Sequence, residues 1–281
     1  MQAGHAVTEV VICADDYAIT PEISAGIVAL AQQGRISATS AMTLSPHWPQ
    51  AATQVRALQQ HIDVGLHLDW TSDVALQQGF GMPLGRLLVL SLLGRLHKTG
   101  VVREIHRPLD LFEQHAGTAP DHIDGHQHVH QFPVLRAALV EALVQRYAPQ
   151  QRPWVRVSHV VCVPWDLKAR TINAMGADAL RTLAKQHGIP HSEHLTGVYD
   201  FQGDAGVYQH KLEGWLQSLP PATVLMCHPA QGVNAQAPFP EARIREQEVL
   251  GHPALDLLLH RQGLRIVRGR TLFARPQAPG H

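Results

Sequence analysis

Nine consecutive residues, HIDGHQHVH at 122–130, contain four histidines and one aspartate. Imidazole and carboxylate groups at this density can bind a divalent metal ion, which polarises carbonyl groups and lowers the pKa of bound water. The chain holds 20 histidines among 281 residues, so a chance cluster is the simpler alternative. The choice depends on whether other parts of the chain bring further ligands to this segment.

The composition indicates a folded protein with ample material for an apolar core. Hydrophobic residues make up 45% and charged residues 16%, and Lys+Arg balances Asp+Glu at 23 each. Without a basic excess, binding to nucleic acid or to an anionic membrane gains no support. The start of the chain lacks the pattern of a signal peptide, and no apolar run reaches the roughly 18 residues needed to cross a bilayer. We therefore expect a cytoplasmic protein.

Two further features bear on redox state and assembly. Cys13, Cys162 and Cys227 lie in apolar runs without CxxC spacing, which predicts free buried thiols. The apolar segment 84–96, LGRLLVLSLLGRL, is interrupted by glycine and arginine. It leaves two interpretations open, a buried helix or an exposed surface that forms a homodimer.

Short apolar runs alternate with longer amphipathic runs along the chain. The predicted strands are EVVICA (9–14), ISATSAMTL (36–44), IDVGLHL (62–68), DHID (121–124), WVRV (154–157), HLTGVY (194–199), ATVLMC (222–227) and LRIV (264–267). The predicted helices cover 21–34, 48–60, 84–115, 133–147, 166–187, 207–218 and 240–262. This alternation predicts an α/β fold with a parallel sheet and right-handed crossovers.

Eight strands favour a (β/α) barrel, distorted or incomplete, with outer helices. A doubly wound open sheet is the alternative. We find no linker, repeat or low-complexity segment, so we expect residues 1–281 to form a single domain. The tail from about residue 274 is expected to be frayed.

Four predicted strands carry polar residues at their C-terminal ends, which share one face in an α/β barrel. These residues are Asp15 and Asp16 after strand one, His67 near the end of strand three, Asp124 and His126 after strand four, and His228 after strand seven. One carboxylate and two imidazoles are a common ligand set for a catalytic divalent ion. The second carboxylate of the Asp-Asp pair can then act as general base, and a histidine opposite it as general acid.

Each of these residues also has a purely structural interpretation. Two aspartates after a strand are often a helix N-cap, and His67 alone is typical of a histidine at the core edge. His228 could simply end a strand. His122, His128 and His130 cannot all be ligands, and we expect at least two of them to be structural or to orient the ligands. The convergence of four strand ends favours a site.

The ordered motifs resemble those of the YdjC-like carbohydrate deacetylases, a family that includes chitooligosaccharide deacetylases and relatives linked to hopanoid biosynthesis. The motifs are ADDYAITPEISAGI, GRISATSAMT, VGLHLDWT, HIDGHQHVHQFP and VLMCHPA, within residues 9–260. The family is similar to the NodB-type polysaccharide deacetylases, which use a divalent metal on a barrel-like (β/α) fold. The resemblance implies a hydrolase that removes an N-acetyl group from an amino sugar or oligosaccharide of the N-acetylglucosamine type, free or lipid-linked.

The resemblance also implies a metal site. Asp16, His67 and His126 match the family's ligands for one divalent ion. The family's ion is often described as magnesium, while a set of one aspartate and two histidines also suits zinc. We therefore expect either Mg²⁺ or Zn²⁺.

The remaining site residues follow from the same resemblance. Asp15 matches the general base and His228 the general acid. Arg156, in WVRV, matches an arginine that holds the base or the substrate, and His128 is a second candidate for that task.

Two motif positions depart from the family pattern. The usual ADDFG is ADDYA here, with Ala18 last, and the usual HPG is HPA, with Ala230 last. Alanine resists the positive φ that glycine permits, so these two loops are expected to differ slightly from the family's. The region 70–86 does not align, which leaves the substrate's identity open.

Two other functions stay open. One is another metal-dependent amidohydrolase or phosphoesterase on the same barrel, whose two-metal forms need more bridging carboxylates or a carbamylated lysine at a strand end. The four lysines all lie in predicted helices or loops: Lys98, Lys168, Lys185 and Lys211. The other is a non-catalytic metal- or sugar-binding protein. The presence of Asp15 and His228 disfavours it, because binding alone needs neither a base nor an acid.

Overall fold

The computed structural model describes residues 7–161, 167–217, 219–235 and 237–274. Cys162, the first residue of the predicted helix 166–187 and the predicted frayed tail beyond Ala274 therefore lie outside the described residues. The other two cysteines, Cys13 and Cys227, are free and buried, as the sequence predicted.

Within the described residues, a parallel sheet connects eight strands. They are β1 (Thr8–Tyr17), β2 (Ala38–Ala41), β3 (Asp63–Leu68), β4 (His122–Gly125), β5 (Trp154–Val155), β6 (His194–Thr196), β7 (Thr223–Cys227) and β8 (Leu264–Ile266). Their order is β5-β4-β3-β2-β1-β7-β6, and β8 pairs with the first residues of β1. Each of these pairings is parallel, so the C-terminal ends point to the same side. The predicted α/β class is confirmed.

Helices follow most of the strands. They are α1 (Pro21–Gln32), α2 (Trp48–Ala51), α3 (Val55–Leu58), α4 (Asp73–Gln77), α5 (Leu84–Leu92), α6 (Lys98–Ala116), α7 (Pro133–Arg146), α8 (Leu167–Ala174), α9 (Ala177–Gln186), α10 (Ala205–Gln217), α11 (Pro240–Gly251), α12 (Ala254–Arg261) and α13 (Gly269–Leu272). Short 3₁₀ segments lie at Ala52–Gln54, His126–Gln131 and Pro149–Gln151. Because the helices connect parallel strands, the loops after the strands lie at one end of the barrel and the loops before them at the other.

The sheet curls into a barrel that is not fully closed. Single bridges pair Val155 with His191 and Val160 with Leu195, and they join the β5 side of the sheet to the β6 side. The predicted distorted or incomplete barrel is confirmed, and the chain does not adopt the doubly wound open sheet. That residues 1–281 form one domain stays a prediction.

Strand β1 is buried on both faces, which its continuous apolar sequence reflects. Val10, Ile12 and Ala14 belong to an outer core with the helices. Val11 and Cys13 point the opposite way, into an inner core with residues of β6 and β7. Because successive side chains alternate across a strand, one strand supplies both cores.

Three predicted helices are each divided by a residue that interrupts helical hydrogen bonding. Gly94, with φ 62°, follows the end of α5, and Gly176, with φ 120°, separates α8 from α9. Pro253 separates α11 from α12, because proline lacks an N–H and clashes with a preceding helical turn. All three segments are helical as predicted, but each forms two helices instead of one.

The apolar segment 84–96, which includes α5, is partly buried and partly exposed, so it matches neither a fully buried helix nor a fully exposed surface. Leu87 and Ser91 are buried, whereas Val89, Leu92 and Leu93 are exposed. Among the described residues, no helix combines the length and apolar character needed to cross a membrane.

Candidate functional site

The C-terminal ends of β1, β3, β4 and β7 meet at one rim of the barrel. Ala14 on β1 pairs with Cys227 on β7, and His67 on β3 pairs with Asp124 on β4. The polar residues that these registers bring to the rim are Asp15, Asp16, His67, Asp124, His126 and His228. The structure thus places together the residues that the sequence predicted to converge.

Asp16, His67 and His126 form a group whose ligand atoms lie within 4.8 Å of one another. Oδ1 of Asp16 is 3.6 Å from Nε2 of His67 and 3.4 Å from Nδ1 of His126. Asp16 and His67 are buried, and His126 is half-buried. Oδ1 of Asp16 has no hydrogen-bond partner among the described residues. Because a buried carboxylate oxygen without a donor is costly, this oxygen fits the role of a cation ligand.

Arg243 on α11 holds the other oxygen of Asp16. Its terminal nitrogen donates to Oδ2 of Asp16, and its Nε donates to the carbonyl of Pro238 at 3.0 Å. Burial alone raises the pKa of Asp16, but Arg243 and the two histidines hold it well below its usual range. Asp16 also has φ 71°, a left-handed conformation that aspartate tolerates better than most residues. The carboxylate is therefore ionised and fixed in direction.

Asp124 orients His67. Nδ1 of His67 lies 2.6 Å from Oδ1 of Asp124, and the Ser40 hydroxyl donates to Oδ2 at 2.6 Å. This leaves Nε2 of His67 directed towards Asp16. Burial lowers the pKa of His67, but the nearby carboxylates, Asp124 first, raise it to about 9. A carboxylate on the far nitrogen is the usual support of a metal-binding histidine.

Two other groups of potential ligands lie beside this one, and their chemistry fits an ion less well. Cys13, His122 and Asp124 are fully buried, and burial raises the pKa of the Cys13 thiol, which disfavours the thiolate that metals bind. Asp15, His67 and Asp124 form the third group. Its carboxylate oxygens already contact Arg156, His67 and Ser40.

Asp15 forms a bidentate ion pair with Arg156. The two guanidinium nitrogens donate to its two oxygens at 2.6 and 2.8 Å, and one of them lies 3.3 Å from Oδ2 of Asp124. Arg156 is completely buried. One guanidinium therefore offsets two carboxylates that would otherwise repel each other. This is the contact that a base-orienting arginine requires, and the role itself stays a prediction.

His228 lies beside Glu246, which the sequence reasoning did not identify. The backbone N–H of His228 donates to Oε2 of Glu246 at 2.6 Å, and Nδ1 of His228 is 3.9 Å from Oε1. The hydroxyls of Tyr199 and Tyr208 also donate to Glu246, at 2.7 and 3.5 Å. Burial lowers the pKa of His228 to about 4 and raises that of Glu246 to about 7.

The other three histidines of the segment 122–130 contact residues other than Asp16. His122 stacks on Trp154 with ring centroids 4.3 Å apart, and Nε2 of His130 lies 2.7 Å from the carbonyl of Arg156. Nδ1 of His128 is 3.0 Å from the hydroxyl of Ser158. The candidate role of His128 beside the base stays a prediction.

The two alanines that depart from the family pattern behave differently. Ala18 adopts φ 73° despite its Cβ, and its N–H donates to the Ser24 hydroxyl at 3.1 Å. Ala230 is not among the described residues with positive φ. Ala18 thus adopts the left-handed conformation that glycine permits, and a difference between these two loops and the family's stays a prediction.

Glu246 and Arg243 are the rim residues that motif reasoning missed. They lie three positions apart on α11, hence on one helical face, and both are buried. A charged pair on one face of a helix is usually solvated, so the spacing alone gives a weak signal.

Sequence and structure comparisons relate this chain to known proteins. The family model described as YdjC-like protein matches residues 9–261. A chitooligosaccharide deacetylase from Enterobacter sp. (strain 638) is 27% identical, over 91% of this chain and 96% of its own. A carbohydrate deacetylase from Geobacillus stearothermophilus is 25% identical, over 94% and 97%.

Two solved structures share the fold. A protein from Enterococcus faecalis V583, named for cellobiose-phosphate cleavage, superposes with a TM-score of 0.70 at 19% identity, covering 95% of this chain and all of its own. A peptidoglycan N-acetylglucosamine deacetylase superposes with a TM-score of 0.52 at 14% identity, covering 95% and 89%. These likenesses establish the architecture.

Proposed function

Because the chain belongs to the YdjC-like protein family, as its ordered motifs predicted, we propose that it is a metal-dependent hydrolase that removes an N-acetyl group from an amino sugar. Relatives named carbohydrate and chitooligosaccharide deacetylase support the reaction class. One observation carries the proposal: Oδ1 of Asp16 is buried, has no hydrogen-bond partner among the described residues, and faces His67 and His126.

Asp16, His67 and His126 would hold one divalent ion, Mg²⁺ or Zn²⁺, because their ligand atoms converge and Oδ1 of Asp16 has no other partner among the described residues. When bound, such an ion polarises the acetyl carbonyl and lowers the pKa of a water molecule.

Asp15 is the proposed general base. Arg156 fixes the direction of its carboxylate through two hydrogen bonds. Each carboxylate oxygen has a second lone pair, so Asp15 can accept a proton from the attacking water while both contacts to Arg156 remain. A positioned base of this kind contributes about 10²–10⁴-fold to the rate.

His228 is the proposed acid towards the leaving amine. Its pKa of about 4 makes the imidazole neutral near pH 7, while the carboxyl of Glu246, with a pKa of about 7, still holds a proton there about half the time. Nδ1 of His228 has no hydrogen-bond partner among the described residues and lies 3.9 Å from Oε1 of Glu246, so proton transfer requires these two atoms to approach by about 1 Å. We propose that the two residues act together as the acid. His228 donates the proton on its Nε2 to the amine, and the protonated Glu246 replaces it by donating its own proton to Nδ1 of His228.

Acetate release tests this function. Metal-reconstituted protein is incubated with N-acetylglucosamine, chitobiose and chitotriose, with Mg²⁺ and Zn²⁺ in parallel, and Asp15→Asn is the matched control. The proposal expects acetate from at least one sugar and its loss in the variant. Bound metal without acetate from any N-acetyl sugar would favour the sugar- or metal-binding alternative.

Three further expectations from the sequence stay predictions. They are a cytoplasmic location, a lipid-linked form of the substrate and a homodimer. Val89 and Leu92 on α5 and the adjoining Leu93 are exposed apolar side chains that such a homodimer would bury.

A further inference from the structure

Two phenylalanines lie next to the proposed acid. The rings of Phe201 and Phe239 stack with centroids 4.3 Å apart and planes 15° apart. The ring of Phe201 also packs against that of His228, with centroids 5.3 Å apart and planes 82° apart. The pair therefore forms an aromatic wall that begins at His228 and extends outward from it.

The outer ring of this wall is open to solvent. Phe239 is 51% exposed, and it is the only aromatic side chain among the exposed large hydrophobic residues of the described chain. Phe201 is half-buried and backs it. A single exposed aliphatic residue needs no explanation, but an exposed aromatic ring stacked at the edge of a candidate active site does.

Both phenylalanines adopt a left-handed backbone conformation. Phe201 has φ 63° and Phe239 has φ 55°, which is unusual for bulky residues. Such conformations persist only where the surroundings enforce them, and they cluster at ligand-binding sites.

Helix α11 supplies these restraints. Arg245 donates to the carbonyl of Phe201 at 2.9 Å, and Arg243 donates to the carbonyl of Pro238 at 3.0 Å. The same helix carries Glu246, whose side chain contacts His228. The aromatic wall and His228 are therefore both held by α11.

The position of the wall indicates which part of a substrate it meets. In the proposed reaction His228 protonates the leaving amine, and the amine is attached to the sugar rather than to the acetyl methyl. A substrate that presents its amine to His228 would bring its sugar, rather than its acetyl methyl, towards the side chains that pack on His228. Pyranose rings present flat C–H faces, which are apolar and complement the electron-rich face of an aromatic ring.

We propose that Phe201 and Phe239 form a sugar-stacking subsite, in which Phe201 borders the amine-bearing sugar and the open face of Phe239 receives the next sugar of an oligosaccharide. This inference rests on the proposed function, because it uses His228 to locate the leaving group. It specifies a substrate longer than one sugar unit.

The test measures sugar binding rather than turnover. Calorimetric titration of the metal-loaded Asp15→Asn protein with N-acetylglucosamine and chitotriose gives reference dissociation constants without hydrolysis. Phe239→Asn is then added, since asparagine tolerates positive φ and removes only the ring. Phe239→Tyr keeps the ring, and Leu257→Asn removes an equally exposed apolar side chain on α12.

The subsite predicts a weakening confined to the longer sugar and to loss of the ring. Phe239→Asn raises the Kd of chitotriose about tenfold, an effect that the burial of one aromatic face accounts for, and leaves that of N-acetylglucosamine nearly unchanged. Phe239→Tyr and Leu257→Asn bind as the reference does. Bound metal stays the same in every variant.

Chitotriose binding that is unaffected by Phe239→Asn would overturn the subsite, as would a reference protein that binds neither sugar. The two proposals fail separately. Wild-type protein that releases no acetate, combined with ring-dependent chitotriose binding, removes the hydrolase and keeps the subsite. Acetate release combined with ring-independent binding removes the subsite alone.

Discussion

Buried carboxylates occur at both ends of the barrel, and their hydrogen bonding differs. At the base, Asp63 begins β3 and Asp121 immediately precedes β4. Oδ1 of Asp63 accepts from Arg268 at 2.8 Å, and its Oδ2 accepts from the Trp154 indole at 2.9 Å and from the Arg270 backbone at 2.7 Å. Both oxygens of Asp121 also have donors. At the rim, Oδ1 of Asp16 has none among the described residues.

This difference in hydrogen bonding indicates that the carboxylates at the base stabilise the fold, whereas Asp16 at the rim keeps one oxygen available for chemistry. Fully bonded carboxylates at the N-terminal ends of the strands tie the final strand and α13 to the base of the barrel. At the C-terminal ends, Asp16 is ionised and held by Arg243 through Oδ2, yet its Oδ1 has no donor among the described residues and is free to bind a ligand. This is the division expected of an α/β barrel, whose reactions occur at the C-terminal face.

The largest effect is expected from the proposed base at the rim. Asp15→Asn removes the proton acceptor while Arg156 keeps its contact with Asp124, so turnover falls about 10³-fold and the fold persists. Steady-state acetate release and circular dichroism measure the two quantities. Turnover within a factor of about two of the wild type would remove Asp15 from the role of base.

The matched change at the base should affect stability instead. Asp63→Asn removes the buried carboxylate that pairs with the partly buried guanidinium of Arg268. Because this leaves Arg268 without its charge partner, the free energy of unfolding falls by about 3 kcal/mol. Urea unfolding checks this value, and kcat per folded molecule is expected to be unchanged. A stable variant with reduced kcat would show that the two ends of the barrel are not separated in function.

Glu246 differs from Asp16 and Asp63, because its hydrogen-bond donors are neutral hydroxyl and amide groups rather than guanidinium groups. Its pKa is raised from 4.5 to about 7, so the folded state binds the proton more tightly than the unfolded state does. The resulting stabilisation is complete below pH 4.5 and is lost as the pH rises through about 7.

Relative to Glu246→Gln, the wild type should therefore lose about 2 kcal/mol of unfolding free energy between pH 5 and pH 8. Urea unfolding of both proteins at the two pH values provides the measurement. An equal pH dependence in the two proteins, or a wild type that gains stability with rising pH, would contradict the assignment.

The smallest effect concerns backbone strain at the rim. Ala18 has φ 73°, so Ala18→Gly should raise the free energy of unfolding by up to about 1 kcal/mol. Ala25→Gly, at an exposed position within α1, should lower it by about 1 kcal/mol, because glycine weakens an ordinary helix. Thermal unfolding distinguishes the two signs. Destabilisation by both changes would mean that Ala18 is unstrained.

The fold was predictable because its pattern is local. Parallel strands buried on both faces, such as EVVICA and ATVLMC, are continuous apolar runs, and the residues directly after them must lie at one rim. The motif resemblance then assigned roles to Asp16, His67 and His126. Strand lengths were less predictable: WVRV pairs only at Trp154 and Val155, since the chain beyond bridges towards β6 at Val160.

The supporting contacts were not predictable, because they join distant segments. Arg243 reaches Asp16 across 227 positions, and nothing in RIREQE marks it as buried. Glu246 on α11 accepts from the backbone N–H of His228, 18 positions earlier in the chain, and also from Tyr208 on α10. The positive φ of Phe201 and Phe239 has no sequence signal either, since neither position is glycine or asparagine.

The most direct test of the rim as a metal site is a titration of metal-free protein with Co²⁺, followed by absorption and calorimetry. The account predicts one ion per chain in the wild type and in Asp15→Asn, and none bound tightly in His67→Ala or His126→Ala. Loss of the ion in Asp15→Asn with retention in His126→Ala would place the ligands in the group of Asp15, His67 and Asp124, and would contradict the assignment made from Asp16.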